Sequence, residues 1–430
     1  MSTRPLRPSK RSAVPAFEAM SITDQVATLR AQGRDVISLC VGEPRGGAPD
    51  AVNDRAQVTH EQRGQLGYTS PLGIRPLRQK VAEHYRRWYG IDVDPAQVAI
   101  TTGSSGAFVL IFLAAFDPGA RVALARPGYP AYRNMLRALG VQAVEIGCGP
   151  DVRFQPTPAA LDALVAQSGP IDGLILASPA NPTGTMVSRA EMAALVAWCG
   201  EHGVRLISDE IYHGLTYGAG AGADAGRLSA GGADRGTSAW EFDRDTVVIS
   251  SFSKYWGMTG WRLGWALCPA DLVEAVDALA GNVALCPPAP AQLAALEAFS
   301  AESYEQADAR VASLARTREA ALARAPELGW GHLAPADGAF YLWADLGDQL
   351  AAFADSSKYC AALLEEAGVA LTPGRDFDDV AGGAFVRLSF GGGTEAVTEA
   401  VDRIVAWQAA RTSPSTPSQG VRRESGPPAP

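Results

Sequence analysis

The sequence is poor in the features that mark several large classes of protein. Its 430 residues hold six cysteines, Cys40, Cys148, Cys199, Cys268, Cys286 and Cys360, with no CxxC pair, and its five histidines stand at no zinc-ligand spacing. That argues against a disulfide scaffold or a zinc site, and the cysteines read as reduced, mostly buried thiols of a cytoplasmic protein. Positive charge is short as well: 37 Lys and Arg against 46 Asp and Glu leave a formal net charge of -9. Nucleic acids and anionic membranes are bound through basic patches, so neither is expected as a partner. The most apolar run, "AFVLIFLAAF" from Ala107, is far too short to cross a bilayer, and the N-terminal "MSTRPLRPSKRS" has no apolar stretch behind it. No internal repeat stands out.

What is present is an ordinary globular composition, 47% hydrophobic and 19% charged, in a chain long enough for one large domain and a smaller one. Short apolar runs alternate with amphipathic helical patterns, the signature of a mainly parallel sheet with helices on both faces. Three of those runs end in polar residues: "DGLILA" from Asp172 runs into "SPANPTG", "VRLISD" from Val204 into "DEIYH", and "TVVISS" from Thr246 into "SFSK". In open α/β sheets ligands bind beyond the carboxyl ends of the strands. Asn181, Asp209, Tyr212 and Lys254 are therefore candidates for a single crevice. Lys254 is the most telling, because an aromatic, small-residue segment is an expensive place for a charge.

A fourth stretch supplies an anion site. "AITTGSSGAFVLIFLAAF" passes from a β-like segment through Gly103, Ser104, Ser105 and Gly106 into an apolar helix, whose first N–H groups and hydroxyls suit a phosphate. Arg262, in "MTGWRLG", can add a two-pronged pair to the same group. A phosphate cradle, a strand-end aspartate, a nearby tyrosine and asparagine, and a lysine in a partly dry pocket together describe a site for pyridoxal phosphate.

With these motifs the chain resembles the class I and II aminotransferases of fold type I, the aspartate and aromatic aminotransferase-like group, from about Val14 to Arg403. The resemblance implies a mostly parallel seven-stranded sheet in a large domain, with a smaller α+β domain beside it. It makes Lys254 of "SFSKYWGMTGWRLG" the Schiff-base lysine and Ser251 and Arg262 phosphate ligands. Asp209 becomes the partner of the pyridine nitrogen, and Tyr212 and Asn181 the donors to the ring oxygen. Ser104 and Ser105 of "GSSGAF" bind the phosphate, and Tyr129 of "PGYPAY" stacks on the ring. Tyr68 of "GYTSPLGIRPLR" matches the tyrosine that family dimers lend to the neighbouring subunit's phosphate. Arg387 of "FVRLSFG" and Gly42 of "CVGEP" meet the substrate's α-carboxylate. The implied reaction is a ping-pong transfer of an amino group between an amino acid and a 2-oxo acid by a homodimer, with Lys254 as the proton-moving base.

Three departures bear on substrate choice. "GEP" continues as "RGGAP", so Arg45 stands near Gly42, either as a solvated loop arginine or as a reader of a distal substrate carboxylate. The segment "GNVALCPPAPAQ" from Gly281 has no arginine where aspartate-specific relatives carry one, and Ser105 stands where another acidic-substrate branch has a lysine. Both changes point to neutral or hydrophobic donors. A β-lyase or a decarboxylase uses the same cofactor and fold, and an aminotransferase-like ligand sensor is a third reading. No helix-turn-helix region precedes residue 15 to support the sensor.

The expected organisation is an N-terminal arm joined to the small domain over 1–47 and a large cofactor-binding domain over 48–285. An Ala-rich connecting helix after Pro290 and the small domain fill 286–410, ahead of a disordered tail over 411–430. The Gly/Ala-rich stretch after Tyr217 lacks the G-K-[ST] ending of a phosphate loop and reads as a surface insertion.

Overall fold

Alternating side chains in the central strands feed two separate hydrophobic cores, and this places the molecule's principal sheet between two layers of helix. The computed structural model describes residues 6–61, 66–217 and 235–412; the Gly/Ala-rich insertion over 218–234 and most of the C-terminal tail lie outside the described residues. Strand β1 (Ile37–Ser38) belongs to a small sheet described below. The principal sheet is built from β2 (Val98–Thr101), β3 (Arg121–Arg126), β4 (Gln142–Gly147), β5 (Gly173–Ala177), β6 (Arg205–Asp209), β7 (Val247–Ser251) and β8 (Gly264–Leu267). Its order is β2-β8-β7-β6-β5-β3-β4, and β8 is the strand that runs antiparallel to its neighbours, so the sheet is seven-stranded and mostly parallel as expected.

The central strands are near-continuous apolar runs because both their faces are covered. Leu174, Leu176, Leu206 and Val248 enter one core with Trp88, Trp256 and Trp265. Ile175, Ile207, Val247 and Ile249 enter the other with Phe108, Ile111 and Phe112 of the helix Gly103–Ala115. The period of two along each strand accounts for the division.

A second layer of structure surrounds β9 (Tyr341–Asp345), β10 (Val369–Ala370), β11 (Thr372–Pro373) and β12 (Phe385–Ser389). Antiparallel β12 lies between β11 and β9, and β1 pairs in parallel with β10. The chain before Gly42 therefore packs with the last third of the sequence, through Leu39 N–H to Ala370 O at 2.9 Å and Ser389 N–H to Leu39 O at 2.8 Å.

The Ala-rich pattern after Pro290 is not one helix. A short helix, Ala289–Ala295, is followed by a 3-10 turn, Leu296–Phe299, and the long helix begins afresh at Ala301–Arg324. Ser300 causes the restart: its hydroxyl accepts the Ser303 N–H at 3.2 Å and its backbone is extended. The last helix, Thr394–Thr412, runs into the first residues of the C-terminal segment.

Candidate active site

Each polar strand end places its side chain at the same edge of the sheet. Asp209 closes β6, Ser251 closes β7, and Asn181 follows β5 by four residues. Gly42, Ser104, Ser105, Tyr129, Asn181, Asp209, Tyr212, Ser251, Lys254, Arg262 and Arg387 all line one cleft, with about 1090 Å³ of space inside it and open to solvent. Eleven of the residues singled out from sequence thus meet in one place.

Lys254 sits in a turn closed by Gly257 N–H to Lys254 O at 3.2 Å. Its two successors are buried anchors: the Tyr255 hydroxyl donates to Asp308 Oδ1 at 2.6 Å, and Trp256 stacks at 6.2 Å on Trp88. The lysine amine donates to Gly42 O at 2.6 Å and lies within 6 Å of the Tyr212 and Phe340 rings. Burial, reinforced by the charges of Arg387 and Arg262, brings its pKa down to about 8, with Glu43 and Asp209 opposing. A Cβ on Gly42 would stand 2.1 Å from the Tyr341 hydroxyl, so only glycine lets that backbone come in under the ring.

Asp209 is 3% exposed. Burial pushes its carboxyl up to about 6, while the Tyr132 hydroxyl and the Ile211 N–H, which donate to its two oxygens, hold it back. A buried carboxylate so placed calls for a cationic partner. Tyr212 donates to or accepts from Tyr341 across the two sheets at 2.7 Å. Tyr129 packs edge-on against Tyr132 at 5.3 Å, and burial carries its phenol to about 12.

The anion-binding part forms where the helix Gly103–Ala115 starts. Arg262 adopts a left-handed backbone, φ 53°, and donates from Nη1 to Thr259 O at 2.9 Å. A Cβ on Gly103 would meet its Nη2 at 2.7 Å, and one on Gly264 would meet the Ser104 amide at 2.8 Å. These two glycines let the guanidinium and β8 close in on the helix N-terminus. Ser104 and Ser105 stand on that first turn, and Ser251 Oγ lies on the same cleft, within reach of Ser253 Oγ at 2.9 Å.

Arg387 comes from the middle of β12 and is 3% exposed. It donates to Asn181 Oδ1 at 2.8 Å, to Thr372 Oγ1 at 3.2 Å and to Cys40 O, with Tyr341 and Phe377 rings 4.6 and 4.7 Å from its centre. Its Nε is buried with no partner among the described residues. Because Asn181 accepts through Oδ1, its amide N–H groups stay available as donors.

Two of the singled-out residues stand apart. Tyr68 is 85% exposed and does not line this cleft. Arg45 lines an adjoining groove with Arg30, Glu43 and Gly392 rather than the cleft itself. Sequence reasoning did not find Tyr132, Tyr341, Phe17 or Met20, which also line the cleft. Tyr132 had a local signal, three residues after Tyr129 at a helix start; Tyr341 had none.

The chemistry of this donor set fits pyridoxal phosphate. An amine of lowered pKa, a buried carboxyl that requires a cation, an asparagine amide and a phenol, and a serine, arginine and helix-terminus cradle match its aldehyde, ring nitrogen, ring oxygen and phosphate in turn.

The chain also has relatives among known proteins. The profile of the family described as "Aminotransferase class I and II" matches residues 34–404. The chain is 46% identical over 401 residues to the valine–pyruvate aminotransferase of Mycobacterium tuberculosis, covering 93% of this chain and 98% of that protein. It is 32% identical to the aspartate aminotransferase of Bacillus subtilis, covering 91% of this chain and 96% of that one. A crystal structure of an aminotransferase from Mycobacterium tuberculosis superposes with a TM-score of 0.88 at 46% identity, over 94% of this chain and all of the other.

Proposed function

The chain belongs to the class I and II aminotransferases, and from that premise we propose that it holds pyridoxal phosphate on Lys254 and moves the amino group of a neutral or hydrophobic amino acid to a 2-oxo acid. The observation that supports this reading above the others is the convergence of the Lys254 amine, the Asp209 carboxyl and the Arg387 guanidinium on one cleft. When bound, the cofactor supplies an electrophilic carbon that takes up the amino group and a ring that accepts the electron pair left at the donor's α-carbon.

The chain's own groups divide the remaining work. Ser104, Ser105, Ser251 and Arg262 hold the phosphate, and Gly103 and Gly264 let Arg262 and the helix N-terminus come together around it. Asp209 keeps the ring nitrogen protonated, and the Tyr132 hydroxyl keeps Asp209 ionised enough to do so. Arg387 clamps the α-carboxylate in a fork that Thr372, Cys40 and Asn181 already orient. Lys254, whose amine burial brings down to about 8, is about a tenth neutral at pH 7, far more than an ordinary lysine, which lets its Nζ carry a proton to and from the α-carbon. Asn181 and Tyr212 donate to the ring oxygen.

Donor class follows from what the cleft does not offer. Lys254, Arg262 and Arg387 are its cations among the described residues, and each has a task. A distal carboxylate finds no fourth. The active unit is a homodimer with Tyr68 reaching the partner's phosphate. Leu66 and Tyr68 in one loop, and Val283 at a helix end with Leu285 just after it, leave large apolar surface exposed on two segments that touch through Thr69 N–H and Cys286 Sγ at 3.4 Å, a face for a second copy to cover. The six free cysteines, five of them buried, suit the reducing cytoplasm.

A panel of amino acids added to the holoenzyme tests the proposal. Valine, leucine or alanine should bleach the visible absorbance of the lysine-bound cofactor and release the matching 2-oxo acid. Release of ammonia with pyruvate, or a strong preference for aspartate, would contradict it.

A further inference from the structure

Asn181 has two tasks, as a donor to the ring oxygen and as the acceptor that orients Arg387 Nη1 at 2.8 Å. It stands in a loop that leaves β5 at Ala177 and turns back at Thr185. Between this loop and the side chains of Tyr129 and Phe154 lies a space of about 320 Å³, partly open to solvent, so packing alone does not hold the loop on that side.

A single buried amide ties the two ends of the loop. Gln155 is 5% exposed, and its Nε2 donates toward Ala177 O at 3.2 Å, Thr185 O at 3.1 Å and Thr185 Oγ1 at 3.2 Å. Thr185 O also accepts the Ala180 N–H at 3.0 Å, and its hydroxyl meets Thr183 Oγ1 at 2.8 Å. The groups that Gln155 reaches are thus the ones that close the loop on itself. Gln155 does not line the cleft.

Gln155 is held in turn by an unusual stretch of backbone. The two residues before it, Arg153 and Phe154, are both left-handed, with φ 52° and 58°, a conformation that a bulky side chain keeps only where its surroundings impose it. Here they do. The Phe154 N–H donates to Gly149 O at 2.9 Å, and its ring is buried with Ala334, Trp343 and Phe377 of the second layer. Arg153 pairs with the Asp337 carboxylate, whose Oδ2 also accepts the Met186 N–H at 3.2 Å, one residue past Thr185. Gly338 N–H to Gly184 O at 2.8 Å completes the grip, and a Cβ on Gly184 would stand 3.0 Å from Gly338 O. The strained turn and the segment before β9 therefore hold Gln155 against the loop from outside the cleft.

We propose that Gln155 is a positioning residue: its amide sets the Asn181 side chain for both tasks, and it acts on the reaction only through Asn181. This rests on the cofactor reading proposed above. Without the amide, the two ends of the loop lose their common donor, and the loop can relax into the space beside it.

The test is a double-substitution cycle on the holoenzyme, with wild type, Gln155→Met, Asn181→Ala and the pair. Two quantities are read: the pH midpoint of the visible absorbance of the lysine-bound cofactor, and kcat/KM for the best donor. A ring oxygen with one donor fewer holds negative charge less well, so Asn181→Ala should move the midpoint upward by about one pH unit. Gln155→Met keeps the side chain's length and removes the donor. It should move the midpoint the same way by about half a unit and lower kcat/KM by about tenfold. In the Asn181→Ala background the same change should add less than about 0.1 unit and less than about twofold. Thr185→Val removes one of the three acceptors without touching Gln155 and should reproduce this pattern at smaller size, which decides the matter if Gln155→Met does not fold. An Asn181→Ala midpoint equal to that of wild type would refute the cofactor reading of Asn181 and the positioning role with it. A shift in Asn181→Ala with none in Gln155→Met, or equal effects of Gln155→Met in both backgrounds, would overturn the role of Gln155 alone.

Discussion

Replacing Asp209 by asparagine should make the cofactor-free protein more stable while disabling the enzyme. Burial raises this carboxyl from 3.8 to about 6 in the folded chain. Roughly two pH units at about 1.4 kcal/mol each mean that keeping it ionised costs the fold about 3 kcal/mol. The sign follows from the direction: an acid whose folded pKa is raised binds its proton more tightly in the folded state, so stability falls as pH climbs from about 4 to 6 and stays down above that. The amide escapes this cost but serves Tyr132 and the Ile211 N–H less well, a loss of about 1 kcal/mol. The net expectation is that cofactor-free Asp209→Asn is about 2 kcal/mol more stable at pH 8, with the advantage gone at pH 4. Urea unfolding of both proteins at the two pH values reads it directly. Cofactor should invert the order, since its ring cation pairs with the carboxylate but not with the amide, and turnover should fall by at least about tenfold. A variant no more stable than wild type at pH 8, or a difference independent of pH, would refute the reasoning.

Other expectations follow from the remaining geometry. Arg387→Lys should raise KM for every donor by similar factors, because lysine cannot reproduce the fork that Asn181, Thr372 and Cys40 orient, and a loss confined to one donor would count against the α-carboxylate role. Tyr132→Phe should shift the acidic limb of the kcat profile upward in pH, since its hydroxyl helps hold the Asp209 carboxyl down; an unmoved limb would remove Tyr132 from the account. Mixing inactive Lys254→Ala with an inactive Tyr68 variant should restore activity, because mixed dimers contain one site with neither defect. No recovery despite measured subunit exchange would argue against a shared site.

Much of the site was legible because the central strands are apolar runs that stop abruptly at Asp209, Ser251 and Ala177, so the polar residues beyond them fall at one sheet edge. Resemblance then supplied roles that strand ends alone could not. What stayed hidden were contacts between distant segments: Tyr132 reaches Asp209 across 77 residues, and Tyr341 meets Tyr212 across 129. No local pattern records such a pairing. The break at Ser300 was masked by alanines that favour helix on both sides, and only the cap shows where one helix ends and the next begins. The first helix, Glu18–Ala31, was not singled out from the sequence although Ile22, Val26 and Leu29 stand at helical spacing, and its Ala19 and Met20 meet the cleft only once β1 has paired with β10.

The central claim is that Lys254 carries the cofactor, and the chain's composition makes it directly testable. It has four lysines, Lys10, Lys80, Lys254 and Lys358. Lys10 and Lys358 are exposed and Lys80 pairs with Glu83 at 3.0 Å, so only Lys254 lies in the cleft. Borohydride reduction of the holoenzyme, digestion and mass spectrometry should find one pyridoxyl group per chain, on the peptide containing Lys254, and none after prior conversion with an amino donor. Label on any of the other three lysines with Lys254 unmodified would contradict the account.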